Sequence, residues 1–265
     1  MKFTYLSFLA PAALLFTSFT AQGQTLFTEN FEDLTAGNTF TDGLGSGGGV
    51  QGGTGDQQTA SNTGTPFGSG NIYADLNDTS GTNYISAQST NYAVGDAVST
   101  FKFDFHETSG GGASGLIFGY AMQGDQLNTG GNRLRIQLDD GSITGLNTVS
   151  SNSYSLDTSY TLYLILNDTA SSIAYTGGTI AAGSADVWFE DFGGGNLTYA
   201  GSANVANSQT ASYRVAFRTF SGSLQQSYVD NVSLSNGAAA VPEPSAFGLL
   251  AGCLGLTWLM LRRRA

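Results

Sequence analysis

From Val98 to His106 the chain alternates, with Phe101, Phe103 and Phe105 on one parity and Lys102, Asp104 and His106 on the other. A period of two gathers the phenylalanines on one face of an extended strand and the polar groups on the opposite face, an arrangement no helix produces. Leu134, Ile136 and Leu138 alternate in the same way with Arg133, Arg135 and Gln137, and Tyr213, Val215 and Phe217 with Arg214 and Arg218. Tyr160 to Leu166 is apolar on both parities and reads as a central strand. Further strands are expected near 25–31, 71–76, 83–88, 115–122, 171–175, 185–192 and 227–234, set apart by Gly, Asn, Asp and Ser clusters. No helical stripe runs between the termini. The pattern predicts an all-β chain, an antiparallel two-sheet β-sandwich of jelly-roll type, with helices only in an N-terminal signal segment and a C-terminal transmembrane segment.

The two ends carry an address. Residues 1–23 read as a secretory signal peptide: Lys2 opens it, Leu6 to Phe16 is largely apolar, and Ala21-Gln22-Gly23 is a small-x-small cleavage site. Residues 24–237 form the exported domain, 214 positions that suit one large all-β unit. A linker at 238–245 holds Pro242, Glu243 and Pro244, and the two prolines keep it extended. Residues 246–261 are uncharged and at ~1.5 Å rise per residue reach roughly 24 Å, somewhat short of a ~30 Å hydrocarbon core. Arg262, Arg263 and Arg264, within 262–265, form a basic cytoplasmic stop that places the bulk of the chain outside the cytoplasm.

"VPEPS", a glycine-containing apolar stretch and "RRR" at the C-terminus resemble the PEP-CTERM sorting signal of Gram-negative bacteria, over about 24 of the 265 residues. The resemblance implies recognition by an exosortase, with Pro242, Glu243 and Pro244 as the recognition residues. It further implies insertion in the inner membrane before processing, and then a place at the cell surface or in an exopolysaccharide matrix. Nothing in it describes the domain that is carried.

That domain is acidic. Residues 24–237 hold five basic and 19 acidic side chains, a net of −14, which makes nucleic acid a poor partner and cations better ones. The single cysteine, Cys253, lies in the apolar tail, so disulfides and thiolate chemistry are excluded from the domain. Eight glycines between Gly43 and Gly55, followed by a polar run to Gly70, leave little apolar surface to bury, and 43–70 is expected to be a mobile loop.

Three kinds of site are conceivable. The terminal segments Glu29-Asn30-Phe31-Glu32-Asp33 and Val229-Asp230-Asn231-Val232-Ser233-Leu234 resemble the paired first and last strands of jelly-roll carbohydrate-binding modules and of laminin-G-like sandwiches. The resemblance implies a structural calcium on Glu29 or Glu32 and Asp230, with Asp230 expected on the same face as Val232 and Leu234; the alternative is that these carboxylates only cap turns. For sugar binding, Tyr73, Tyr84, Tyr120, Tyr163, Trp188 and Tyr199 are candidate stacking platforms, Trp188 first among them because Glu190 and Asp191 follow it; aromatics of this kind also serve as ordinary core. For catalysis, no carboxylate pair has the spacing of a sandwich glycosidase, and His106, expected on the polar face of an outer strand, lacks a nucleophile-elbow partner. The leading expectation is a non-catalytic surface or matrix protein associated with exopolysaccharide. A lectin-like carbohydrate-binding module and a divergent glycan-cleaving enzyme are the alternatives.

Overall fold

The computed structural model describes residues 24–39, 44, 49–51, 57–78, 86–90, 98–109, 115–122, 127, 132–175, 177–206, 213–219 and 225–238. The signal segment, Tyr84, the Pro242-Glu243-Pro244 motif, the 246–261 span and Arg262 to Arg264 lie outside the described residues. No helix among the described residues is long and apolar enough to cross a membrane.

Two antiparallel sheets pack face to face. The nine-stranded sheet contains β1 (Thr25–Glu29), β3 (Gln57–Ser61), β4 (Tyr73–Asp78), β6 (Val98–Glu107), β10 (Thr148–Val149), β11 (Ser159–Asn167), β14 (Ser184–Asp191), β15 (Thr198–Asn204) and β17 (Gln225–Asn236). Its order is β10-β15-β14-β11-β6-β17-β4-β3, with β1 pairing the second half of β17. The six-stranded sheet runs β2 (Gly49–Gln51), β5 (Ser86–Gln88), β16 (Tyr213–Arg218), β7 (Ile117–Met122), β8 (Asn132–Asp139) and β9 (Ser142–Thr144). A small hairpin, β12 (Ile173–Tyr175) with β13 (Gly178–Ile180), completes the fold.

The alternating residues build the core between the sheets. Phe101, Phe103 and Phe105 of β6 are fully buried and meet Phe118 of β7 and Phe217 of β16. Phe103 packs edge-on against Phe217, with centroids 4.7 Å apart at 84°, and against Phe118 at 5.0 Å and 67°. Edge-to-face contacts of this kind add to the area term for burying the rings.

Three features depart from the expectations. The described part of 43–70 is structured: β2 and β3 lie within it, and Phe67 is buried against Tyr73 and Phe192. Backbone pairing at sheet edges supplies there what the glycine-rich sequence lacks in apolar side chains. Next, β6 is central rather than an outer strand, flanked by β11 and β17, so His106 is half-buried. Finally, Asp230 does not share a face with Val232 and Leu234. The register of β17 against β6 shifts between Asp230 and Ser233, and Asn231 takes a left-handed backbone with φ of 48°. One extra residue at such a bulge reverses the parity, so Val229, Val232 and Leu234 all enter the core while Asp230 faces away from it.

Candidate functional site

The outer face of the nine-stranded sheet gathers most of the residues the sequence singles out. Cross-strand register aligns Glu190 of β14, Thr161 of β11, Asp104 of β6 and Asp230 of β17 in one row. The adjacent row runs Tyr199, Trp188, Tyr163, Lys102 and Ser233 across five strands. Residues directly opposite on neighbouring strands share a face and interact, so an acidic row lies beside an aromatic one.

Tyrosine hydroxyls tie the two rows together. Tyr163 donates to Glu190 Oε1 at 2.6 Å, and Lys102 Nζ stands 5.4 Å from the Tyr163 ring centre. Tyr175 of the β12–β13 hairpin donates to Asp186 Oδ2 at 2.7 Å and accepts from Trp188 Nε1 at 2.9 Å. Burial pushes the Asp186 carboxyl above its ordinary range, opposed by its bonds from Tyr175 and Tyr199. The same loss of solvent, reinforced by the acceptor carboxylates, raises Tyr163 and Tyr175.

Trp188 is half-buried. Its ring lies 4.8 Å from Tyr199 and belongs to a small apolar cluster with Ile165, Ile180, Ile173 and Tyr175 under the hairpin. Tyr73, Tyr163 and Tyr199 share its sheet face, whereas Tyr120 is core, with its hydroxyl against Ser99. Asp186, Tyr175 and Lys102 were absent from the sequence candidates, and Glu190 entered only as a neighbour of Trp188. The Asp-x-Trp-x-Glu alternation of β14 is the signal that could have found Asp186.

Around Asp230 the groups converge differently from the expected calcium triad. Asp230 is fully buried; Oδ2 accepts from Asn71 and Asn231 side-chain amides, and Oδ1 has no hydrogen-bond partner. Burial lifts its carboxyl to about 6, with Asp104 and Glu32 adding repulsion. Glu32 Oε1 accepts from Ile72 N at 3.0 Å, and Glu29 Oε1 from Phe31 N at 2.8 Å. An open cleft beside the bulge is lined by Thr28, Glu29, Asn30, Asn231, Val232 and Ser233. No three His, Cys, Asp or Glu side chains form a metal-binding group among the described residues. Of the three carboxylates, therefore, Asp230 alone offers a buried oxygen that no hydrogen bond satisfies.

His106 meets a serine but in the wrong sense for nucleophilic chemistry. Its Nδ1 is 3.0 Å from Ser159 Oγ, and that hydroxyl donates its proton to Pro66 O at 2.6 Å. The proton a general base would take is already committed, and Asp157 accepts from Ser109 N.

No family model and no curated protein sequence matches the chain. Among solved structures, lectin II from Ulex europaeus superposes with a TM-score of 0.50 at 12% identity, over 81% of this chain and 100% of the lectin. The basic winged bean lectin does so at 0.50 and 12%, over 80% of this chain and 98% of its own. A protein of unknown function from Shewanella oneidensis MR-1 gives 0.52 at 11% identity, over 91% of this chain and 99% of that one. At such identities the likeness is one of architecture: the chain is an all-β antiparallel sandwich folded like these lectins.

Proposed function

We propose that the domain is a lectin-like glycan-binding module, carried to the cell surface or its matrix by the Pro242-Glu243-Pro244 tail after exosortase processing. The observation that carries the reading is the aromatic row Tyr199-Trp188-Tyr163 set beside carboxylates on one sheet face. Sugars are recognised by an aromatic ring under their apolar face and by fixed polar groups at their hydroxyls, and both lie here within one or two strands of each other. The fold supports the same reading, since the Ulex lectin has been solved in complex with galactose and the winged bean lectin with Tn-antigen. The committed proton of Ser159 favours a non-catalytic role. A glycan array probed with the full chain and with Trp188→Ala tests the proposal. Binding to a defined glycan set, lost in the variant, is expected; silence on every glycan, or release of reducing ends from any of them, would overturn it.

A structural cation is the second part of the proposal, favoured by the buried, unbonded Oδ1 of Asp230. Asp230 would hold it, joined by oxygens from the Glu29–Asp33 segment, and the hard oxygen set suits calcium. Bound calcium would offset the buried negative charge and brace the first strand against the last. Millimolar calcium should raise the melting temperature and chelator lower it. Melting curves unmoved by either would remove the cation from the proposal and leave the glycan reading standing.

A further inference from the structure

The aromatic row does not end at Ser233. Register carries it one strand further, to Thr28 of β1, so a single line on the outer face crosses β15, β14, β11, β6, β17 and β1. At that far end lies the cleft beside the bulge, about 340 Å³ in volume and within the range of small-ligand sites. Thr28, Asn30 and Asn231 are exposed there and Ser233 is half-exposed, so the cleft is open to solvent. Between the cleft and Trp188 the surface is Lys102, half-exposed, with its ammonium over the Tyr163 ring.

The polar atoms of the cleft are neutral and open. Asn231, left-handed at the bulge, donates through Nδ2 to Asp104 and Asp230, which leaves its Oδ1 as an acceptor. Asn30 accepts from Glu32 N through Oδ1, which leaves its Nδ2 as a donor. Thr28 and Ser233 stand opposite one another, and neither hydroxyl is bonded to another described residue. The charges around these atoms are acidic: Glu29 lines the cleft, and Glu32 and Asp33 follow, exposed, on the same segment. A negatively charged ligand is repelled from such a place, whereas hydroxyls find both donors and acceptors.

We propose that the cleft is the far subsite of a neutral, linear glycan, resting on the aromatic row as the platform for the preceding sugars and reading the hydroxyls of one ring through Thr28, Asn30, Asn231 and Ser233. Three strand spacings of ~4.8 Å separate β14 from β17, so Trp188 and Ser233 lie roughly 14 Å apart. A pyranose ring is about as long as one spacing, so about three linked rings engage both ends at once. For a glycan already held at Trp188 the second contact is intramolecular and adds affinity without a second loss of free motion. The two ends divide the task. Rings stack under many sugars, but matched hydroxyls and amides reject a sugar whose groups would leave them unpaired.

Titration of the full chain, in mild detergent and with chelator so that no cation takes part, against cello-, laminari- and β-1,4-galacto-oligosaccharides from disaccharide to hexasaccharide tests it. Affinity for at least one ladder should rise about tenfold or more between disaccharide and tetrasaccharide and then level off. Thr28→Val/Ser233→Ala removes both hydroxyls at nearly constant volume and should erase most of that rise, with the disaccharide bound as by the parent. Ser233→Phe, which fills the cleft, should do the same, and melting temperatures equal to the parent's show that both variants fold. Affinity that does not grow with length, a rise that both variants keep, oligogalacturonates bound more tightly than every neutral ladder, or silence on all three ladders would each overturn the cleft subsite. The aromatic platform fails separately, where Trp188→Ala binds as the parent does at every length.

Discussion

Asp104 and Asp230 stand directly opposite one another on β6 and β17, two carboxylates in register on one sheet face, 4% and 0% exposed. Like charges so placed destabilise a sheet unless hydrogen bonds compensate. The compensation comes from the bulge. Asn231, turned out of the regular strand, places its side-chain amide between the two acids, 2.7 Å from Asp104 Oδ2 and 3.2 Å from Asp230 Oδ2. Thr161 closes the far side of Asp104 and Asn71 that of Asp230.

The pair makes stability depend on pH with a definite sign. Burial pushes Asp230 from 3.8 up to about 6, and it raises Asp104 as well, with Glu190 adding to the rise. Below the unfolded value both states are protonated and nothing is lost; through the window from about 4 to 6 the folded state holds its proton longer, so rising pH weakens the fold. In chelator the wild type should melt lower at pH 7 than at pH 5. Asp230→Asn should flatten that slope and add about 1–2 kcal/mol at pH 7, less than the ~3 kcal/mol of an unscreened two-unit shift. Saturating calcium should reverse the sign, because the asparagine gives up a charged ligand. A wild-type slope that the substitution leaves intact would contradict the assignment.

Tyr175 is the clamp on Trp188. Its hydroxyl donates to Asp186 and accepts from the indole, so Tyr175→Phe strands a largely buried carboxylate oxygen and frees the ring edge at once. Denaturant unfolding should show a loss of about 1–3 kcal/mol. Glycan binding, measured by titration, should weaken in Tyr175→Phe and vanish in Trp188→Ala. Equal affinity across all three proteins would place the sugar elsewhere.

What could be read from the sequence followed side-chain period and size. β6, β8, β11 and β16 announce themselves because large apolar residues alternate or run together. β15, with Ala200, Gly201 and Ala203, buries residues too small to register, and Gly201 lets its backbone approach Thr148 O closely. The Gly-rich β2 and the polar β3 are strands through pairing with β5 and β4, a non-local cause. Trp188 and Asp230 could be picked out singly, yet their common face depends on strand order and on a one-residue bulge that no local pattern marks. The neighbours Tyr163, Lys102 and Asp104 join them only through register.

Phe103 sits where the two sheets meet, touching Phe101, Phe105, Phe118 and Phe217. Phe103→Ala should cost about 3–5 kcal/mol, a large share of the ~5–15 kcal/mol typical of a domain, whereas Phe103→Leu, which keeps most of the volume, should cost clearly less. Chemical denaturation of both variants at neutral pH checks the order. Equal losses would mean that the ring contacts, and not the filled volume, carry the cost.

At one end the sheets are also joined by charge. Arg133 of β8 pairs with Asp168, which follows β11, both fully withdrawn from solvent, and the guanidinium carbon lies 5.2 Å from the Tyr213 ring centre. Asn167 next to it anchors the turn, donating to the carbonyls of Ser171, Ile180 and Ala181. Desolvating two ions is costly, so the pair itself adds little net stability, but removing one partner leaves the other buried and uncompensated. Asp168→Leu alone should therefore lose about 3–5 kcal/mol, while Arg133→Met together with Asp168→Leu should recover most of that loss. A double-mutant cycle by denaturant unfolding decides: strong coupling supports a clamp between the sheets, and additive losses would show that the two charges are independently solvated.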